Sequence, residues 1–146
     1  MKVIAIVGPT AVGKTSLSLK LAKEINAEII NVDAMQLYKG MDIGTAKLNL
    51  EDRENITHHL IDILDPSQES NVSDFQQIAR STIDTLLEKN TRPLLVGGSG
   101  LYVNSVLENL EFPGTDQDLR ERLEDELEQI GIVEMFAKLK QIDPEA

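Results

Sequence analysis

The sequence predicts an α/β fold, a parallel sheet flanked by helices, and three observations predict it. Short apolar, β-branched runs alternate with amphipathic helical patterns from Val3 to Leu107. Between the first run and the first helical pattern stands Gly8-Pro9-Thr10-Ala11-Val12-Gly13-Lys14-Thr15, a complete G-x-x-x-x-G-K-S/T phosphate loop. From Pro113-Gly114 onward the alternation gives way to charged helical sequence. The expected architecture is a P-loop NTPase-like core over residues 1–112, with the beginning of a helical insertion region over 113–146.

Each element has a local reason. Val3 to Val7 is an apolar run suited to a buried central strand, and Ser16 to Ile25 sets Leu17, Leu21 and Ile25 on one helical stripe. Glu28 to Val32 is a second short strand, ending at Asp33. Met35 to Leu50 reads as loop, broken by Gly40 and Gly44, and His59 to Ile63 as a short strand. Ser73 or Asp74 can cap a helix running through Glu88, with Phe75, Ile78, Ile83 and Leu86 or Leu87 inward. Leu94 to Val96 is a buried strand stopping at Gly97-Gly98-Ser99-Gly100, and Leu101 to Leu107 is helical. Asp116 caps a helix from Gln117 to about Ile130, Gly131 breaks it, and Ile132 to Ile142 forms another. The final Asp143-Pro144-Glu145-Ala146 reads as a helix junction, which leads us to expect a truncated chain.

Composition narrows the class. With 146 residues the chain is long enough for one domain and its core. It has no cysteine, so disulfides and cysteine-held metals are excluded, and its two histidines, His58 and His59, cannot build a multi-His site. No apolar run reaches membrane-spanning length, and the N-terminal one is too short for a signal peptide. A cytoplasmic protein, and a monomer, is the expectation. The net charge of −11 is unevenly spread: residues 1–50 carry +2, residues 51–146 carry −13. Much of the acidity falls in Glu108 to Glu134, as a solvated helix face would place it.

The chemistry concentrates in four clusters. In the phosphate loop, Gly8 and Gly13 let successive N–H groups wrap an anion at a helix N-terminus, Lys14 adds a point charge, and the Thr15 hydroxyl is placed to ligate magnesium. Asp33 follows the second strand and should project into the crevice facing that loop, as general base or substrate ligand, as a magnesium partner through water, or as a helix cap. Lys47, in Gly40-Met41-Asp42-Ile43-Gly44-Thr45-Ala46-Lys47, rides a glycine-hinged loop where it can meet a phosphate or simply stay solvated. A magnesium-binding strand of this fold class normally ends in aspartate; this one ends in Gly97-Gly98, which suits close approach of a large ligand or of backbone.

Taken together, the phosphate loop, Asp33 with Gln36 and Tyr38, Gly40 to Lys47, His58-His59-Leu60-Ile61-Asp62 and Gly97-Gly98-Ser99-Gly100-Leu101-Tyr102 resemble the bacterial tRNA dimethylallyltransferases, the tRNA isopentenyltransferase family of P-loop prenyltransferases. The resemblance runs in order over residues 3–146. It implies that residues Gly8, Pro9, Thr10, Ala11, Val12, Gly13, Lys14 and Thr15 hold the diphosphate of dimethylallyl diphosphate, where a P-loop more commonly serves nucleotide or ATP binding. It implies transfer of the isoprenyl group to N6 of adenine 37, beside the anticodon of a tRNA, with magnesium (Mg2+) near Thr15. Asp33 takes the place of the family's catalytic aspartate, and Thr10 that of its diphosphate-contacting threonine. Asp33, Ala34, Met35, Gln36 and Ser99 fall on tRNA-contacting positions. The chain departs from the family's common serine, threonine and proline at Ala34, Ser99 and Leu48. Family members are also roughly twice this length on the domain-size prior.

Two other functions fit the loop. A small-molecule kinase would hold ATP there and use Asp33 to activate a hydroxyl, but no arginine-rich lid precedes Arg120. A non-catalytic fragment would fold and hold diphosphate without the rest of the RNA-binding surface, and an acidic chain neutralises RNA phosphates poorly.

Overall fold

The structure, a computed structural model, describes residues 2–108, 110–112 and 116–145. It divides into two compact units, Met1–Leu110 and Glu111–Ala146. The expected boundary at Pro113-Gly114 lies outside the described residues.

The first unit holds β1 (Ile4–Val7), α1 (Lys14–Ile25), β2 (Ala27–Val32), β3 (His58–His59), α2 (Val72–Glu88), β4 (Arg92–Gly97) and α3 (Gly100–Leu107). All described strand pairings are parallel, and the sheet order is β1-β4-β2-β3. Alternate residues of a strand face opposite sides, so neighbours in sequence feed different cores. Ile29 and Leu94 pack with Leu19 and Ala22 of α1, whereas Ile30 and Leu95 pack with Phe75, Ala79, Ile83 and Val103 beneath α2 and α3. Gln76 and Arg80 of α2 donate to the Ser105 carbonyl at 2.7 and 3.0 Å, tying α3 to α2 where its own last carbonyls lack helical partners.

Several local expectations change. β1 stands at an edge of the described sheet with Val7 56% exposed, because β4, and not β1, inserts beside β2. The buried face of α1 is Ser18, Leu19 and Ala22, and Leu17 points outward. The strand expected at His59–Ile63 ends after His59, since Leu60 and Asp62 adopt left-handed φ values of 58° and 57° that no strand accommodates. The cap of α2 is Asn71, whose Oδ1 accepts from the Asp74 amide at 2.9 Å; Asp74 lies in the first turn. Ile78 is 43% exposed, and Ala79 takes its place in the core.

In the second unit, α4 (Gln117–Ile142) begins at Asp116, which accepts from the Leu119 amide at 2.9 Å. Gly131 has φ 81° and ψ 166°, a non-helical pair that interrupts the helix where the sequence predicts. Glu126 and Lys138 form an ion pair across it. Twelve residues of straight helix would span about 18 Å, too far for that pair, so the two segments fold back on each other.

Candidate active site

The loops that follow β1, β2 and β4 meet over one end of the sheet, as parallel α/β topology requires. They enclose a crevice of about 660 Å³. One wall is the phosphate loop and start of α1, through Thr10, Ala11, Gly13, Lys14 and Thr15. The α1-facing side of the sheet contributes Ile29, Asn31 and Val96, and a further wall comes from Leu48, Asp52, Glu54 and His58. Asp33, Gln36 and Thr45, with Gly97 and Gly98, complete the lining.

The phosphate loop has the required backbone. Gly13, at the N-terminus of α1, has φ 87°, and Ala11 has φ 65°. Such left-handed residues are what a loop needs to turn its amides toward an anion at a helix N-terminus. Lys14 Nζ donates to the Pro9 carbonyl at 2.6 Å, holding the ammonium over the loop. A Cβ on Gly98 would come within 2.9 Å of the Gly8 carbonyl, so the glycines after β4 allow two backbones to meet. Of the loop, Gly8, Pro9 and Val12 shape the turn without lining the crevice.

Asp33 does two things at once. Oδ1 accepts from the Met35 amide at 3.0 Å and caps a short 3₁₀ turn, Ala34–Leu37. Oδ2 has no hydrogen-bond partner among the described residues, and the residue lines the same crevice as Lys14 and Thr15. The cap therefore fixes the carboxylate while leaving one oxygen for a substrate. Of the other expected RNA contacts, Gln36 lines the crevice, whereas Ala34, Met35 and Ser99 lie outside its lining.

Lys47 corrects the solvated reading, and it does not line the crevice. Its side chain is only 2% exposed and donates to the Tyr38 carbonyl and to Asp62, each at 2.7 Å, with Asp42 at 2.8 Å. Burial acts to lower its pKa, but the hydrogen bonds and charges of Asp42 and Asp62 outweigh it and hold the pKa above the ordinary lysine value.

Sequence reasoning gave no role to the wall formed by Asp52, Glu54 and His58. These residues reach the crevice only because the loop 40–57 folds back beside α1, with Leu48 and Ile56 packed on the α1-side core and Lys23 paired with Glu54 at 2.5 Å. Burial, followed by the charges of Arg53 and His59, lowers the His58 pKa, against the raising effect of the Ile56 carbonyl 2.8 Å from Nδ1. His58 thus presents a neutral ring at neutral pH. The paired histidine signal was visible, but not which of the two faces the crevice.

Among the described residues no group of three or more His, Asp or Glu side chains is placed to hold a metal. A magnesium ion here would take the Thr15 hydroxyl and the oxygens of a bound diphosphate, the usual arrangement for an ion that keeps few protein ligands. Thr15 lines the crevice in the first turn of α1, where its hydroxyl would meet such an ion.

The description "IPP transferase" belongs to the family model that matches residues 36–146. The chain belongs to the IPP transferase family. It is 52% identical over 144 residues to the tRNA dimethylallyltransferase of Salinispora arenicola, an alignment covering 99% of this chain and 42% of that protein. With its namesake from Streptomyces coelicolor the identity is 53%, covering 99% of this chain and 46% of the relative. Among solved structures, the full-length tRNA isopentenylpyrophosphate transferase of Bacillus halodurans is 49% identical with a TM-score of 0.72, over 99% of this chain and 48% of that one. A eukaryotic dimethylallyltransferase crystallised while acting on tRNA is 32% identical with a TM-score of 0.81, over 98% and 36% of the two chains. The fold of this IPP transferase family chain is therefore the P-loop-like α/β fold expected. The chain spans less than half the length of these curated relatives. The family match begins at Gln36, past the phosphate loop, whereas the curated relatives align over nearly the whole chain. No helix among the described residues is long and apolar enough to cross a membrane.

Proposed function

We propose that this protein transfers the dimethylallyl group of dimethylallyl diphosphate to N6 of adenine 37 in tRNA, beside the anticodon. One observation carries the reading: a phosphate-loop backbone with its lysine and a capped carboxylate with one unpartnered oxygen line the same crevice. The names of the relatives supply the substrates.

Adenine N6 is a weak nucleophile because its lone pair is delocalised into the ring. The reaction therefore depends on a good leaving group and on removing the N6 proton. On donor binding, Lys14 exchanges the Pro9 carbonyl for diphosphate oxygens, joined by the loop amides and the Thr10 hydroxyl. Magnesium held at Thr15 would add positive charge to the leaving diphosphate. The N6 lone pair forms the C–N bond to the allylic carbon as the C–O bond to diphosphate breaks, and Asp33 Oδ2 receives the N6 proton. An anticodon-loop adenine must leave its stack to reach Asp33, which costs less in a loop than in a duplex. A cytoplasmic location and a monomeric state belong to the same proposal.

Incubation of the chain with dimethylallyl diphosphate, magnesium and an anticodon stem-loop should yield RNA heavier by one dimethylallyl unit on its adenine. Phosphorylation of a metabolite at the expense of ATP would instead establish a kinase. Transfer to free AMP but not to RNA would move the acceptor assignment.

A second reading, a diphosphate-binding piece without turnover, is favoured by the charge of −11, which suits RNA phosphates poorly. Calorimetry separates it, because it requires diphosphate to bind and tRNA to fail. In either case Lys14→Ala should weaken diphosphate binding about ten- to a hundredfold, the worth of a charge-assisted hydrogen bond. An unchanged isotherm would remove Lys14 from the anion site.

A further inference from the structure

We propose that Lys47 is a positioning residue for the RNA acceptor, an internal cation that locks the loop carrying it against the segment that presents Asp33 and Gln36. The inference rests on the transferase reading for its substrate, but its structural basis is independent of it. A lysine this deeply enclosed is uncommon unless paired, and Lys47 is paired three ways. Its three donors are distributed over three separate pieces of chain: Asp42 within the loop 40–48, the Tyr38 carbonyl just after the 3₁₀ turn, and Asp62 beyond β3.

The surrounding bonds extend the lock to the crevice. Gln36 Nε2 donates to the Thr45 carbonyl at 2.8 Å, two residues from Lys47, and the Gln36 carbonyl accepts from the Asp62 amide at 3.2 Å. Thr45 Oγ1 donates to the Met41 carbonyl at 2.7 Å, closing the loop on itself. Asp62 holds a left-handed backbone, φ 57°, and its second oxygen lies 3.6 Å from Arg53, whose guanidinium also donates to the Leu48 carbonyl. A strained residue is retained where surrounding contacts over-determine it, and here those contacts converge on one ammonium. Lys47 itself does not line the crevice, while Gln36, Thr45, Ala46 and Leu48 do. Its effect on RNA passes through them.

Hydrogen exchange and steady-state kinetics on the whole chain test this together. In Lys47→Met, amides of residues 36–48 should exchange at least about tenfold faster while α2 keeps its protection. Turnover with an anticodon stem-loop should fall about tenfold, with KM for dimethylallyl diphosphate unchanged. Asp42→Asn, at an exposed side chain, should fold normally and speed exchange across 40–48 by about threefold, which covers the case of an unstable Lys47 variant. Unaltered exchange in the folded variants overturns the proposal. So does a tenfold rise in donor KM with turnover preserved, which would make Lys47 a phosphate ligand. Absence of prenyl transfer by the parent chain would count against the transferase reading alone, since the exchange measurement needs no substrate.

Discussion

Asp33→Asn should slow prenyl transfer by about 10²- to 10⁴-fold, the range for removing a positioned general base, while diphosphate affinity stays where it is. Asparagine is the informative replacement because its side-chain oxygen can still accept from the Met35 amide, so the cap on the 3₁₀ turn survives. Only the ability to take a proton is lost. Asp33→Ala removes cap and base together and should add about 1 kcal/mol of destabilisation to the same kinetic defect. A pre-steady-state measurement of the transfer step, with diphosphate binding followed separately, distinguishes the contributions. Full turnover in the asparagine variant would eliminate Asp33 as the proton acceptor and turn attention to Asp52, Glu54 and His58 in the same crevice.

Gly97→Ala is expected to destabilise the fold by more than about 3 kcal/mol, beyond the common range for overpacking, because the obstruction is main chain. A Cβ at Gly97 would fall 2.1 Å from the Val32 carbonyl oxygen and 2.6 Å from its carbon. Neither side has room to yield: Val32 is fully buried, and Val32 and Gly97 are register partners at the ends of β2 and β4. Relief demands that the two strands part just where β2 delivers Asp33. Urea unfolding should show a lowered midpoint, and whatever folds should have lost transfer activity. Gly100→Ala makes the control, since nothing lies within 4 Å of its Cβ and the residue begins α3. That substitution should be neutral or slightly stabilising. Equal stability of Gly97→Ala and the parent would mean that β2 and β4 are farther apart than the register places them.

Legibility in the sequence followed the range of the interactions involved. The backbone of the phosphate loop was readable because eight consecutive residues specify it locally. Asp33 was readable because a strand end is a local event, although its simultaneous capping role was one of several open readings. The Gly97-Gly98 pair was correctly attributed to close approach, and the structure identifies what approaches as backbone at Val32 and Gly8. Strand order was not readable: the apolar run at β1 looks central by composition, and only pairing between segments far apart in sequence puts it at an edge. Lys47 was misread for a related reason. Its partners Asp62 and Tyr38 converge through left-handed turns at Leu60 and Asp62, residues whose types carry little warning of such geometry. The wall of Asp52, Glu54 and His58 depends on that same turn-rich stretch.

The order β1-β4-β2-β3 also has a temporal consequence. The strand that separates β1 from β2 is the last of the four to leave the ribosome. Until Arg92–Gly97 has emerged and slotted between them, the anion loop and the acid sit on ribbons with no common partner. Long-range parallel pairing of this kind is slow to nucleate. The crevice is consequently a late product of folding: nascent chains that stop short of Gly97 should not hold the phosphate loop and Asp33 together.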